Sequence, residues 1–195
     1  MRETPLARQL AETPSPPSPL MAFEIARQLF VEGRRIEMQE LAATLGVSRA
    51  TLFRWVGGRD ELMSEVVWSV TKPTFQKAQR KSSGHGGAFV AATMGRFSQA
   101  VIDSEFFGKW VHSEPERALR ILTTNSTTFQ SRLTAELEEL LDHEVNAGRL
   151  ALPLSLHDSA YLIVRISETF IYADMITGET PDSSKVSQAV NALLR

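Results

Sequence analysis

Cysteine is absent from the 195-residue chain, which excludes a disulfide framework, thiolate zinc sites and cysteine nucleophiles. Excess charge is lacking too. The formal net charge is −2, which over the whole chain argues against a surface coated in basic charge for nucleic acid. No run reaches the roughly 20 uninterrupted apolar residues of a membrane span. Met1–Leu10 is broken by Arg2, Glu3, Pro5 and Arg8, so no signal-peptide core is expected. Asn-Gly and Asp-Gly hairpin turns are missing, and no stretch alternates with period two for long. These absences lead to the expectation of a soluble, cytoplasmic, all-α protein. Apolar residues at 43% and charged residues at 23% fit a globular chain of that kind.

Five of the nine prolines fall at Pro5, Pro14, Pro16, Pro17 and Pro19. The stretch Thr13–Pro19 favours extended backbone and cannot bury a core, so residues 1–18 are expected to form a disordered N-terminal arm. Helical patterns follow at Leu20–Glu32, Met38–Leu45, Arg49–Trp55 and Asp60–Lys81, the last with Pro73 expected to kink or interrupt it. The SSGHGG run over Ser82–Gly87 marks a domain boundary. It divides a unit over 19–81 from one over 82–195. In the second unit, helices are expected at Ala88–Asp103, Glu105–His112, Pro115–Thr123, Thr127–Ala147, Leu156–Ile176 and Ser183–Leu194.

Met38–Gly57, MQELAATLGVSRATLFRWVG, carries the chemistry. Counted from Met38, a small residue (Ala42) stands fifth and Gly46 ninth, where a helix-turn-helix needs close helix contact and a left-handed turn. Leu41, Leu45, Val47, Leu52 and Trp55 fill its apolar positions. Ser48 suits the cap of the second helix, whose outer stripe then holds Arg49, Ala50, Phe53 and Arg54. Arg at the N-terminal end of such a helix matches guanine O6 and N7 in the major groove. From Ser48 to Arg59 the charge is +3 with no acid, a local basic patch hidden by the near-neutral total.

The string QELAATLGVSRATLFRWVGGRDEL resembles the DNA-binding domain of the TetR family of one-component regulators. RISETFIYADMITGETPD is similar to the QsdR-like subgroup of that family, regulators linked to degradation of quorum-sensing lactones. The resemblance implies a helix-turn-helix domain joined to a helical-bundle domain for ligand binding and dimerisation. It implies Arg49, Ala50 and Arg54 as base readers. Ser48, Thr51 and Arg59 fall at phosphate-contacting positions, and Trp55 at the aromatic position ending the helix. Three departures stand out: Phe53 where the family often has Tyr, Glu37 where it has a capping Ser or Thr, and Val56-Gly57-Gly58-Arg59 in the following loop. The partners implied are a double-stranded palindromic operator, a small-molecule effector and a second copy of the chain. Repression is the activity expected.

One short recognition helix makes few contacts, whereas two placed ~34–36 Å apart read a palindrome. The expected homodimer surface is the last two helices, through Ile163, Phe170, Val186, Val190 and Leu193. Arg165 and Glu168, three residues apart, either pair with each other or join Tyr161 and Tyr172 in an apolar effector pocket. Trp68, Phe75, Phe97, Phe107, Trp110 and Phe129 are candidate aromatic walls, or alternatively core. The expected effector is small and apolar or amphipathic, lactones and acyl derivatives among them. The long helix with Pro73 is the expected lever between effector and reader.

A small all-helical enzyme, or an interaction protein that binds no DNA, is the competing reading. Against the enzyme, the four histidines are scattered and HExxH, GxSxG, Walker and Rossmann patterns are missing. Asp142, His143 and Glu144 are adjacent on a helix and diverge by ~100° each, so they cannot meet on one ion. No metal, cofactor or catalytic residue is expected, and no membrane partner.

Overall fold

The computed structural model describes residues 16–195, so all but the end of the expected N-terminal arm lies outside the described residues. Among the described residues there are eleven helices and no strand. Helix α1 spans Pro19–Val31, α2 Met38–Thr44, α3 Arg49–Val56 and α4 Arg59–Lys81. Ser18 caps α1 by accepting from the Met21 N–H at 3.2 Å, with Pro19 in the first turn, where its missing donor costs nothing. Ala22, Ala26 and Phe30 form the buried face of α1.

Helix α4 corrects the expectation of an interruption: it runs unbroken through Pro73. Pro73 is exposed, so the carbonyl of Ser69, four residues earlier, loses its N–H partner on a face where water is at hand. Opposite that face, Val66, Val67, Thr71, Phe75 and Ala78 are buried and hold the helix in place.

The remaining helices are α5 (Gly86–Ile102), α6 (Glu105–Ser113), α7 (Pro115–Thr123), α8 (Phe129–Asn146), α9 (Leu156–Ile171), α10 (Ala173–Ile176) and α11 (Ser183–Leu193). The single helix expected over Leu156–Ile176 is therefore two. It breaks at Tyr172 because the returning chain takes up a helix carbonyl: Asp182 N–H donates to the Phe170 oxygen at 3.2 Å. Helix α11 packs chiefly on α5 and α9. Its approach to α5 requires Gly95, where a Cβ would lie 1.8 Å from Ser187 Oγ. No helix among the described residues is long and apolar enough to cross a membrane.

Candidate nucleic-acid interface and effector cavity

Gly46 ends α2 at φ +66°, a backbone state that side chains with a Cβ rarely adopt. Gly46 N–H donates to Ala43 O at 3.0 Å and Val47 N–H to Ala42 O at 3.0 Å, the paired bonds of a Schellman stop. The chain then turns directly into α3. Ser48 Oγ accepts from Thr51 N–H at 3.0 Å and lies 2.9 Å from the Thr51 hydroxyl. Leu41, Ala42, Leu45 and Leu52 are buried between the two helices, and full burial of a leucine such as Leu52 contributes roughly 2 kcal/mol. Val47 and Trp55 are half-buried at the rim.

With Leu52 inward, Arg49, Ala50, Phe53 and Arg54 are exposed on the opposite face, Phe53 at 42%. Neither Arg49 nor Arg54 forms an ion pair with a described residue. Ser48 is exposed beside them and Thr51 is half-buried. Glu37, in the cap position before α2, makes no capping bond and pairs instead with Arg35 at 2.6 Å.

Arg59 departs from its expected place on phosphate. Its side chain is 11% exposed and faces the protein. Nε donates to Ile36 O at 2.6 Å, Nη1 to Glu114 Oε2 at 2.5 Å and Nη2 to Glu114 Oε1 at 2.6 Å. These bonds hold the Glu114 carboxyl below the usual carboxylate range against the opposing effect of burial. Next to it, Asp60 accepts from both Arg117 and Arg120. Helix α7 therefore grips the start of α4 through Glu114, Arg117 and Arg120, three residues that no local pattern marks. Of the three cations in Ser48–Arg59, two have no ion-pair partner among the described residues.

A small cavity of about 20 Å³ lies among α4, α5, α6, α8 and α9. Of the expected effector residues, Phe97, Phe107, Phe129, Glu168 and Tyr172 line it, joined by Thr71 and Ser167, which the sequence reading passed over. Others stand elsewhere. Phe75 meets Phe97 edge-on from behind, at 5.6 Å between centroids. Trp68 does the same to Phe129 at 6.1 Å, and the Arg132 guanidinium lies 5.8 Å from its ring. Trp110 turns towards Phe30 of α1, 5.6 Å away, and lines a separate cleft beside Arg59. Tyr161 is 47% exposed and does not reach the cavity.

Glu168 is the polar centre of this cavity, its side chain 8% exposed. Gln130 Nε2 donates to Oε1 and also to the Leu122 carbonyl. Arg165 Nη1 lies 2.7 Å from Oε2 but is aligned with the Thr123 carbonyl, at 2.9 Å, so Oε2 has no aligned donor. Burial pushes the Glu168 carboxyl up to about 7 despite the Arg165 charge and the Gln130 bond. The Tyr172 hydroxyl is likewise held above its ordinary range, by burial first and by Glu168 second. The two expectations for Arg165 and Glu168 thus meet in one arrangement: they pair, and Glu168 also faces a cavity.

The expected dimer residues divide. Ile163, Val186 and Val190 are fully buried within the chain, because α5 takes up the apolar face of α11, and they cannot reach a partner. Phe170 and Leu193 stay half-buried at the surface, with the Lys185 ammonium 6.0 Å from the Phe170 ring. Among the described residues no three metal-ligating side chains gather. Asp142 accepts from Asn146 while Glu144 turns inward, the divergence expected of neighbours on a helix.

A four-helix reader with an exposed, capped recognition helix, packed on a helical bundle, defines a helix-turn-helix regulator. Residues 85–195 match the family described as Tetracyclin repressor-like, C-terminal domain, and the chain belongs to the TetR family of transcriptional regulators. It is similar to the R. erythropolis transcriptional repressor QsdR of that family, with 29% sequence identity and a TM-score of 0.84 over 90% of this chain and 93% of that one. The TetR family repressor AlkX from Dietzia sp., implicated in biodegradation of n-alkanes, shares the fold at 21% identity and a TM-score of 0.61, over 89% of this chain and 93% of that one. No curated protein matches the sequence.

Proposed function

We propose that this regulator is a repressor that binds a palindromic operator as a homodimer and is released by a small apolar or amphipathic effector. The observation that carries the reading is the face of α3, where Arg49 and Arg54 project without partners among the described residues beside a capped helix N-terminus. Arg49, Ala50 and Arg54 read bases, and Ser48 and Thr51 hold phosphate. Phe53, exposed and apolar, suits contact with a thymine methyl or sugar. Trp55 wedges the end of the helix against the reader's core. The two units divide near Ser82–Gly87, with residues up to 81 as reader and the remainder as sensor.

The dimer forms on the outward faces of α9 and α11, with Phe170 and Leu193 joined by the half-buried Leu162 and Ile166. The effector enters at the cavity bounded by Phe97, Phe107, Phe129, Glu168 and Tyr172. It favours the dimer state with the recognition helices out of register with successive major grooves. Lactones and acyl derivatives are within the class.

Selection of duplex fragments from a random pool by the purified protein tests this reading. A two-fold symmetric sequence is expected, with salt-dependent binding at two protomers per site. Enrichment of no sequence, or binding by a monomer, would overturn it.

A further inference from the structure

The polar wall of the cavity is one-sided in its hydrogen bonding. The Thr71 hydroxyl already donates to Val67 O at 2.9 Å, and the Ser167 hydroxyl to Ile163 O at 2.8 Å. Glu168 Oε2 lies buried without an aligned donor. With Glu168 ionised, above pH ~7, each of these three oxygens offers lone pairs inward, and only the Tyr172 hydroxyl has a proton to give. Every other surface is hydrocarbon: Met94, Phe97, Val101, Phe107, Phe129 and Leu133 among them. A buried acceptor left without a donor costs more than the same acceptor satisfied, so an apolar guest that brings an N–H or O–H gains twice. A charged guest of either sign would be stripped of water against a wall that is mostly hydrocarbon, and a carboxylate would also meet Glu168.

The cavity holds about one water, yet it shares Thr71, Val101 and Phe107 with an open groove of about 540 Å³ between α4 and α5. A guest entering by the groove must displace the Phe107 ring and enlarge the wall. Gln130 and Arg165, which hold Glu168, also hold the last carbonyls of α7, Leu122 O and Thr123 O. The other end and outer face of that nine-residue helix grip Arg59 and Asp60 at the start of α4. One short helix thus spans the distance between the cavity's carboxyl and the helix that follows the reader.

We propose that the cavity takes an uncharged apolar effector bearing one hydrogen-bond donor for Glu168, and that α7 passes its arrival to Arg59 and Asp60. The proposal rests on the effector-released reading above and gives that effector a chemical class and a route.

The test uses the full chain and three matched probe series of six to about twelve carbons: N-methyl alkanamides with one N–H, N,N-dimethyl alkanamides with none, and alkanoates. Calorimetry at pH ~8.5, where Glu168 is ionised, is expected to show the N-methyl amides binding about tenfold tighter than their dimethyl partners, the worth of one buried hydrogen bond. Glu168→Met should erase that gap, and the comparison within the unsubstituted protein stands even if this variant fails to fold. Equal affinity for the two amides overturns the ligand class, as does failure of every N-methyl amide to bind. Tightest binding by the alkanoates also overturns it, and would place the ligand's anion on Lys77, Lys81 and Arg96 at the groove's rim.

Operator affinity, read by anisotropy on a selected fragment, supplies the second arm. The N-methyl amide should weaken it at least fivefold, and Asp60→Asn, which loosens Arg117 and Arg120 far from the cavity, should bind the amide while losing most of that weakening. An undiminished effect in Asp60→Asn overturns the α7 route alone. Amide binding with no change in operator affinity overturns the release reading and the route together, while supporting the ligand class.

Discussion

Arg59 and Glu114, 55 residues apart in sequence, meet in a two-pronged ion pair that joins the helix following the reader to the sensor bundle. Both side chains are about nine-tenths buried, at 11% and 12% exposure. Removing Arg59 leaves Glu114 the weaker contacts of Arg117 at 3.2 Å and Arg35 at 3.7 Å, and neutralising Glu114 leaves Arg59 its bond to Ile36 O. Arg59→Ala is expected to cost ~1.5–3 kcal/mol of stability in urea unfolding, and Glu114→Gln a similar amount. Because Arg59 faces away from the surface of α3, its loss should leave the salt slope of DNA binding unchanged. A flatter slope would return Arg59 to the phosphate backbone.

Arg49 and Arg54 should behave in the opposite way. Their side chains are exposed and pair with no described residue, so Arg49→Ala and Arg54→Ala should shift the thermal midpoint little. On a selected operator each is expected to lose ~1–3 kcal/mol of binding and to relax preference at one base position. Competition with single-base operator variants measures this. Equal losses on selected and random duplex would refute their role as base readers.

Glu144 gives the fold an acid limit. Its carboxylate accepts from Arg149 Nε at 2.8 Å and Nη2 at 2.7 Å, and from the Gly86 N–H at 2.6 Å, tying the end of α8 to the start of α5. The Arg149 bonds, aided by the Gly86 amide, lower its pKa to about 2. A lowered folded-state pKa means the stabilisation is fully present above pH ~4.5 and is lost as pH falls towards 2. The total is of order 3 kcal/mol. Unfolding of Glu144→Gln between pH 6 and 3 should show a shallower decline than the parent's.

Glu168 acts with the opposite sign. Its pKa is raised to about 7, so its neutral form favours the fold below pH ~4.5 and that contribution disappears as pH rises through 7. Glu168→Gln should therefore gain on the parent in thermal stability between pH ~4.5 and 7. Below and above that window the difference between the two proteins should stay level. A constant difference across the window itself would show that Glu168 ionises freely.

The reader was legible in the sequence because all its determinants lie within one short stretch. Periodicity assigned Leu41, Leu45 and Leu52 to the core, and the glycine at the ninth place marked the positive φ of the turn. Arg59 was not legible. A cation beside a recognition helix looks the same whether it faces phosphate or a carboxylate 55 residues onward, and only the packing of α7 decides. The apolar stripe of α11 had the same ambiguity: Val186 and Val190 require a cover, but the stripe does not say whose. Gly95, a glycine within an apolar helix, held the missing hint, since it admits a second helix closely enough to claim both valines. Around the cavity, the aromatic residues were identifiable by type, but which of them form its inner wall depends on three separate helices meeting.

The outward face of α3 has a further consequence. Arg49, Ala50, Phe53 and Arg54 neither fill the core nor hold another helix, while the cap at Ser48, the turn at Gly46 and the buried Leu52 fix the backbone beneath them. The fold therefore tolerates wholesale change at those four positions. Drift or deliberate replacement there could assign the regulator a new address on the chromosome without altering what it senses.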